Sequence, residues 1–154
     1  MRRASALHID VQRGGRWAPG SAEIGGWARA ALGRRARGRE LAVRVVGARE
    51  SRRLNAQYRG RDHATNVLSF PVSTSCPPPA PRPLGDLVIC PAVVRAEARS
   101  QGKRVRAHWA HLIVHGTLHL MGYDHEQPRD ARRMERREIT VLKRLGFANP
   151  YRSA

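Results

Sequence analysis

Four stretches carry the short-period pattern of strands. "ALHIDVQ" (6–12) and "LAVRVVG" (41–47) come first, then "ATNVLSFPV" (64–72), closed by Pro71, and "LGDLVICP" (84–91). Between and after them the apolar spacing becomes helical. "AEIGGWARAALGRR" puts Ile24, Trp27 and Ala31 on one face, although Gly25 and Gly26 weaken it. "ARESRRLNAQYRG" sets Leu54 and Tyr58 four apart and is stopped by Gly60. Pro91 suits the first turn of the next helix, "AVVRAEARSQG", which ends at Gly102. "RVRAHWAHLIVHGTLHLM" predicts a long helix ended by Gly122. The last helix is expected to start near Asp130 as its N-cap and to stop at Gly146, with an apolar stripe of Met134, Val141, Leu142 and Leu145.

Strands interrupted by helices, followed by three helices in a row, predict an α+β fold: a small mixed four-stranded sheet with helices packed on it. "RARGRE" reads as a charged turn, and the Pro-rich stretch 73–83 as a plain connecting loop. No linker is long enough to divide the chain, so one domain over 1–154 is expected, with flexible ends near 1–4 and 150–154.

The chain has 154 residues, 41% of them apolar, enough to bury a core and to exclude a wholly disordered chain. Lys plus Arg is 29 and Asp plus Glu is 12, a net charge of +17. Such a field attracts polyanions, nucleic acid first. Cys76 and Cys90 form no CxxC pair, so a cysteine zinc site is not indicated, and two reduced thiols are expected. No apolar run reaches the roughly 18 residues of a membrane span. The basic start "MRRASALHIDVQRGG" meets Asp10 too soon for a signal peptide, so a cytoplasmic protein without membrane partners is expected.

Five of the seven histidines lie between His108 and His125. A helix turns about 100° per residue, so His111, His115 and His119 form one stripe. His125 follows six residues after His119, across Gly122, where a turn can fold it back. Three neutral imidazoles leave a tetrahedral metal one open position, the arrangement of a catalytic zinc site. Bound water there has its pKa lowered toward about 7. His115, His119 and His125 are thus the candidate ligands, at the end of a central helix. His108 and His111 are expected to make no metal contact, His111 being at most a supporting or surface group.

The H-x3-H-x5-H spacing and its turn glycine equal those of the metzincin peptidases. Those peptidases carry a Glu after the first His as general base. Here that position is Gly116, so peptide hydrolysis lacks its proton acceptor. Gly116 costs about 1 kcal/mol inside a helix relative to Ala. Two explanations stand level: access of a substrate to the metal, or close packing of a neighbouring strand.

With "LNAQYRGRDHATNVLSFP" (54–71) and "GDLVIC" (85–90), the segment "HWAHLIVHGTLHLMGYDH" (108–125) resembles the YbeY family of bacterial endoribonucleases. The likeness covers roughly Arg49 to Tyr151. It implies an α+β fold with the metal in a cleft beside the sheet, and ligation by His115, His119 and His125. It implies that Arg59, in the "LNxxYR" block, is the functionally important arginine. It further implies a single-strand-specific, metal-dependent endoribonuclease that matures the 3′ end of the small-subunit ribosomal RNA and serves ribosome quality control. The implied partners are ribosomal RNA and the small ribosomal subunit. Many members have Asp at the position of Asn66, so Asn66 is given no acid or base role. Three imidazoles favour one zinc ion, although nickel and copper also bind imidazole.

A guanidinium fork offers two parallel hydrogen bonds to a phosphate and keeps its charge, which suits Arg59 to that task. Asp124 either orients a neighbouring imidazole or caps the Gly122 turn. Glu97 and Asp86 are further carboxylates without a sequence-derived role. The other basic residues, densest in "RRARGR" and "RRMERR", are expected to hold RNA by its phosphates. The alternative to an enzyme is a ribosome assembly factor with a structural metal and little catalysis.

Overall fold

A computed structural model describes residues 7–72 and 82–152. Cys76, positions 73–81 of the Pro-rich stretch and the end segments 1–6 and 153–154 lie outside the described residues.

Among the described residues nine elements of regular structure, apart from one short 3₁₀ turn at Gly33–Ala36, follow in order. They are β1 (His8–Gln12), α1 (Ser21–Leu32), β2 (Arg39–Val45), α2 (Ala48–Arg59), β3 (Val67–Pro71), β4 (Arg82–Ile89), α3 (Pro91–Ser100), α4 (Val105–Leu120) and α5 (Pro128–Arg144). The strands form one mixed sheet in the order β1-β2-β4-β3. β1, β2 and β4 run parallel, and β3 pairs antiparallel with β4 at the edge, Ser69 facing Leu87. This is the expected α+β architecture.

Period-two alternation explains how the sheet is covered. Leu41, Val43 and Val45 of β2 join Leu87 and Ile89 of β4 in the main core, with α1, α4 and α5. Val88 points the other way, into a smaller cluster with Val46, Leu68 and Leu54 of α2. α4 packs against α1, α3, α5 and β3, and ten of its 16 residues are buried. A helix apolar on nearly every side belongs in the middle of a fold. Each fully buried large apolar side chain, such as Ile113 or Leu118, contributes about 1.5–3 kcal/mol.

Two boundaries differ from the sequence reading. α5 starts at Pro128 with Gln127 as N-cap, not at Asp130. Proline needs no backbone donor in the first turn and keeps the residue before it extended, as Gln127 is. Asp130 lies in the first turn instead, where the helix dipole favours a carboxylate. β4 starts at Arg82, so positions 82–83, assigned to the Pro-rich loop, belong to the strand. Arg82 and Pro83 pair with Arg39 and Glu40 of β2. Among the described residues no helix is long and apolar enough to cross a membrane.

Candidate metal centre and cleft

His115 and His119 project from the C-terminal half of α4, one turn apart, with ring centroids 4.7 Å from each other. After α4 the backbone reverses at Gly122, whose φ of 100° is a conformation that side-chain-bearing residues rarely adopt. The reversal brings the His125 ring to 4.7 Å from that of His119 and 5.6 Å from that of His115. Asp124 accepts hydrogen bonds through Oδ1 from the backbone N–H groups of His125 (2.6 Å) and Glu126 (3.1 Å). It therefore caps the turn and fixes the backbone of His125. One nitrogen from each of the three imidazoles lies within 4.8 Å of the others.

These rings suit a divalent cation. Burial holds the His119 imidazole down, to about 4, helped by the neighbouring His115 and His125. It is therefore neutral at pH 7 and presents a lone pair rather than a charge. His115 is oriented from behind. Its Nδ1 lies 2.5 Å from Oε1 of Glu138, a fully buried carboxylate on α5. Burial pushes the Glu138 carboxyl up, but hydrogen bonds from His111, His115 and Tyr151 outweigh it and hold it low, near 2. An ionised carboxylate only accepts, so His115 Nδ1 donates to it and Nε2 is the nitrogen left free to meet an ion. His111 reaches the other oxygen, with Nε2 3.0 Å from Oε2, and the Tyr151 hydroxyl donates to that same oxygen.

His111 is thus an internal support of the site, and Glu138 and Tyr151 are components that the sequence reading missed. A signal for Glu138 existed. It sits four residues after Met134 and four before Leu142, on the buried stripe of α5. A carboxylate on an apolar stripe demands partners.

The three imidazoles line a cleft of about 1020 Å³. Arg59, Asn66, Glu97, Lys103 and Tyr151 line it too, whereas Asp86 does not. Arg59 is the last residue of α2, which closes at Gly60. Its Nη2 donates to the Ser69 carbonyl of edge strand β3 at 3.0 Å, which ties an exposed guanidinium to the cleft wall. The loop after it is anchored by two buried residues of α2. Ser51 bonds both the N–H and the carbonyl of Thr65, and Asn55 donates to the His63 carbonyl at 2.8 Å. Asn66 donates to Glu97, which also meets His108 at 3.0 Å. All three of these residues line the cleft.

Gly116 faces the sheet, not the cleft. A Cβ there would sit 2.7 Å from Cδ2 of Leu87 and 3.3 Å from Oγ of Ser69. Leu87 is itself fully buried and has little room to withdraw. Of the two explanations for this glycine, close packing of strands against α4 accounts for it, and substrate access does not.

The two sequence comparisons agree on one family. The sequence profile described as endoribonuclease YbeY matches residues 23–146. A relative named endoribonuclease YbeY, from Alkalilimnicola ehrlichii, is 52% identical over 157 aligned positions, which cover 97% of this chain and 93% of the relative. The solution structure of a Thermotoga maritima protein shares the fold, with a TM-score of 0.57 over 94% of this chain and 99% of that one, at 22% identity.

Proposed function

Since the chain belongs to the endoribonuclease YbeY family, we propose that it is a metal-dependent endoribonuclease of single-stranded RNA, with His115, His119 and His125 holding one zinc ion. The observation that carries this reading is the convergence of three imidazole nitrogens within 4.8 Å, in a cleft that Arg59 also lines. Ribosomal RNA, at the 3′ end of the small-subunit RNA, is the proposed substrate. Small-subunit maturation and quality control in the cytoplasm is the proposed setting.

A bound divalent ion there would supply an activated water or polarise a phosphate oxygen. The chain's own residues do the rest. Arg59, with fixed charge and planar fork, binds a phosphate and offsets charge that builds up on it during cleavage. Its bond to the Ser69 carbonyl holds the guanidinium on the cleft wall before RNA arrives. Glu138 orients the His115 ring, and burial keeps His119 neutral. Gly116 stands where a peptidase would carry its base, and no side chain fits between it and Leu87, which argues against peptide hydrolysis.

The test is cleavage of single-stranded RNA by protein purified free of host nucleases, with metal content measured alongside. His115→Ala should lose the ion and the cleavage together. Arg59→Glu should keep the ion and lose cleavage by 100-fold or more, about the loss of one transition-state contact. Cleavage surviving in both variants would identify a contaminating nuclease and leave only an assembly role with a structural ion.

A further inference from the structure

The family profile ends at residue 146, yet the described chain continues to residue 152 and returns to the cleft. Contacts at Pro150 and Tyr151 hold this last segment in place. Lys103, which follows α3, donates through Nζ to the Pro150 carbonyl at 2.7 Å. Tyr151 donates its hydroxyl to Oε2 of Glu138 and sets its ring edge-on to His111, with centroids 5.4 Å apart. Glu138 is fully buried and accepts on both oxygens, from His115 on one and from His111 and Tyr151 on the other. Three donors converge on one buried carboxylate, and one of them is the first candidate ligand.

We propose that Glu138 is the positioning residue of His115, and that Tyr151 of the C-terminal segment latches it, so that metal affinity depends in part on a residue beyond the family profile. A carboxylate bonded to the far nitrogen of a ligating imidazole fixes its tautomer and its ring plane, and makes the near nitrogen more basic. Here the carboxylate would itself be free to turn about its terminal torsion. The phenol and His111 engage its second oxygen and stop that rotation. α5 and the C-terminal segment thereby aim a ligand on α4.

The inference rests on the zinc site proposed above, and the experiment separates the two. Zinc affinity is measured by competition with a chromophoric chelator for wild type, His119→Ala, Glu138→Gln and Tyr151→Phe. Nitrogen NMR shifts report the His115 tautomer in the zinc-free proteins. Wild type should bind one zinc, and His119→Ala should bind it at least about 100-fold more weakly. Glu138→Gln should weaken binding by about 10- to 100-fold and mix the His115 tautomers. Tyr151→Phe should weaken binding by about 3- to 10-fold, the scale of one hydrogen bond. A merely structural role would lower the thermal midpoint of the zinc-free protein and leave affinity and tautomer unchanged.

Failure of wild type to bind zinc would sink the metal site and this inference with it. Tight wild-type binding, matched by both Glu138→Gln and Tyr151→Phe, would overturn the positioning role and leave the metal site standing. Two ions per wild-type chain would overturn it as well, because His111, His115 and Glu138 would then be ligands of a second ion, their atoms also lying within 4.8 Å of one another. If Glu138→Gln does not fold, Tyr151→Phe decides alone, since it removes one oxygen from a half-exposed side chain.

Discussion

Gly116, Arg59 and Asn55 each owe their identity to a different kind of contact. Adding a methyl group at Gly116 forces it against the buried Leu87. Gly116→Ala should lower stability by about 1–3 kcal/mol in urea denaturation, the usual cost of overpacking, while the folded fraction keeps its zinc affinity. Arg59 contributes charge and shape from an exposed position. Arg59→Lys should cut RNA cleavage by about tenfold or more with the thermal midpoint nearly unchanged, because a point charge cannot copy the fork. Asn55 is a buried polar residue whose amide satisfies the His63 carbonyl. Asn55→Ala should cost about 1–3 kcal/mol and loosen the loop that carries the chain from Arg59 to β3. Of the "LNxxYR" block, then, Leu54 and Asn55 build the support, and Arg59 faces the cleft.

At the level of elements, α4 and the turn after it make the metal centre. Two ligands come from one helical face, where spacing alone ensures convergence. The third depends on the Gly122 reversal and on Asp124, which caps it. Asp124→Ala should therefore weaken zinc binding several-fold in chelator competition. The thermal midpoint of the zinc-free protein should barely move, since this turn is exposed. An unchanged affinity would mean that the loop is held by other contacts. Helix spans were legible because capping and periodicity are local signals. Their exact starts were less so: Pro128, not Asp130, opens α5, as a pre-formed proline outcompetes a side-chain cap.

For the whole molecule, the net charge of +17 sets long-range behaviour. RNA affinity should fall steeply and linearly in log–log form with salt, by about 10³-fold between 50 and 200 mM if six or more phosphates are contacted. A flat salt profile in filter binding would contradict phosphate-led recognition. The main core, from Leu41 through Trp109 to Leu142, includes none of the three candidate ligands. Removal of zinc by a chelator should thus leave the far-ultraviolet dichroism intact. It should lower the thermal midpoint only by the lost binding energy, about 2.7 kcal/mol at a hundredfold excess over Kd. Unfolding on chelation would mark the ion as structural.

By itself the sequence determined the α+β order of elements, the H-x3-H-x5-H trio and the block that carries Arg59. All of these are written in residues close along the chain, where helical pitch and turn chemistry bring side chains together. Tertiary structure alone decided why position 116 is glycine, which groups stand behind His115 and where Arg59 is tied. Leu87 meets Gly116 across 29 positions, and Glu138 meets His115 across 23. Tyr151 reaches His111 across 40. Contacts at such separations exist only once the sheet, α4 and α5 have packed. No local pattern encodes them, save the trace that a lone carboxylate leaves on the apolar face of α5.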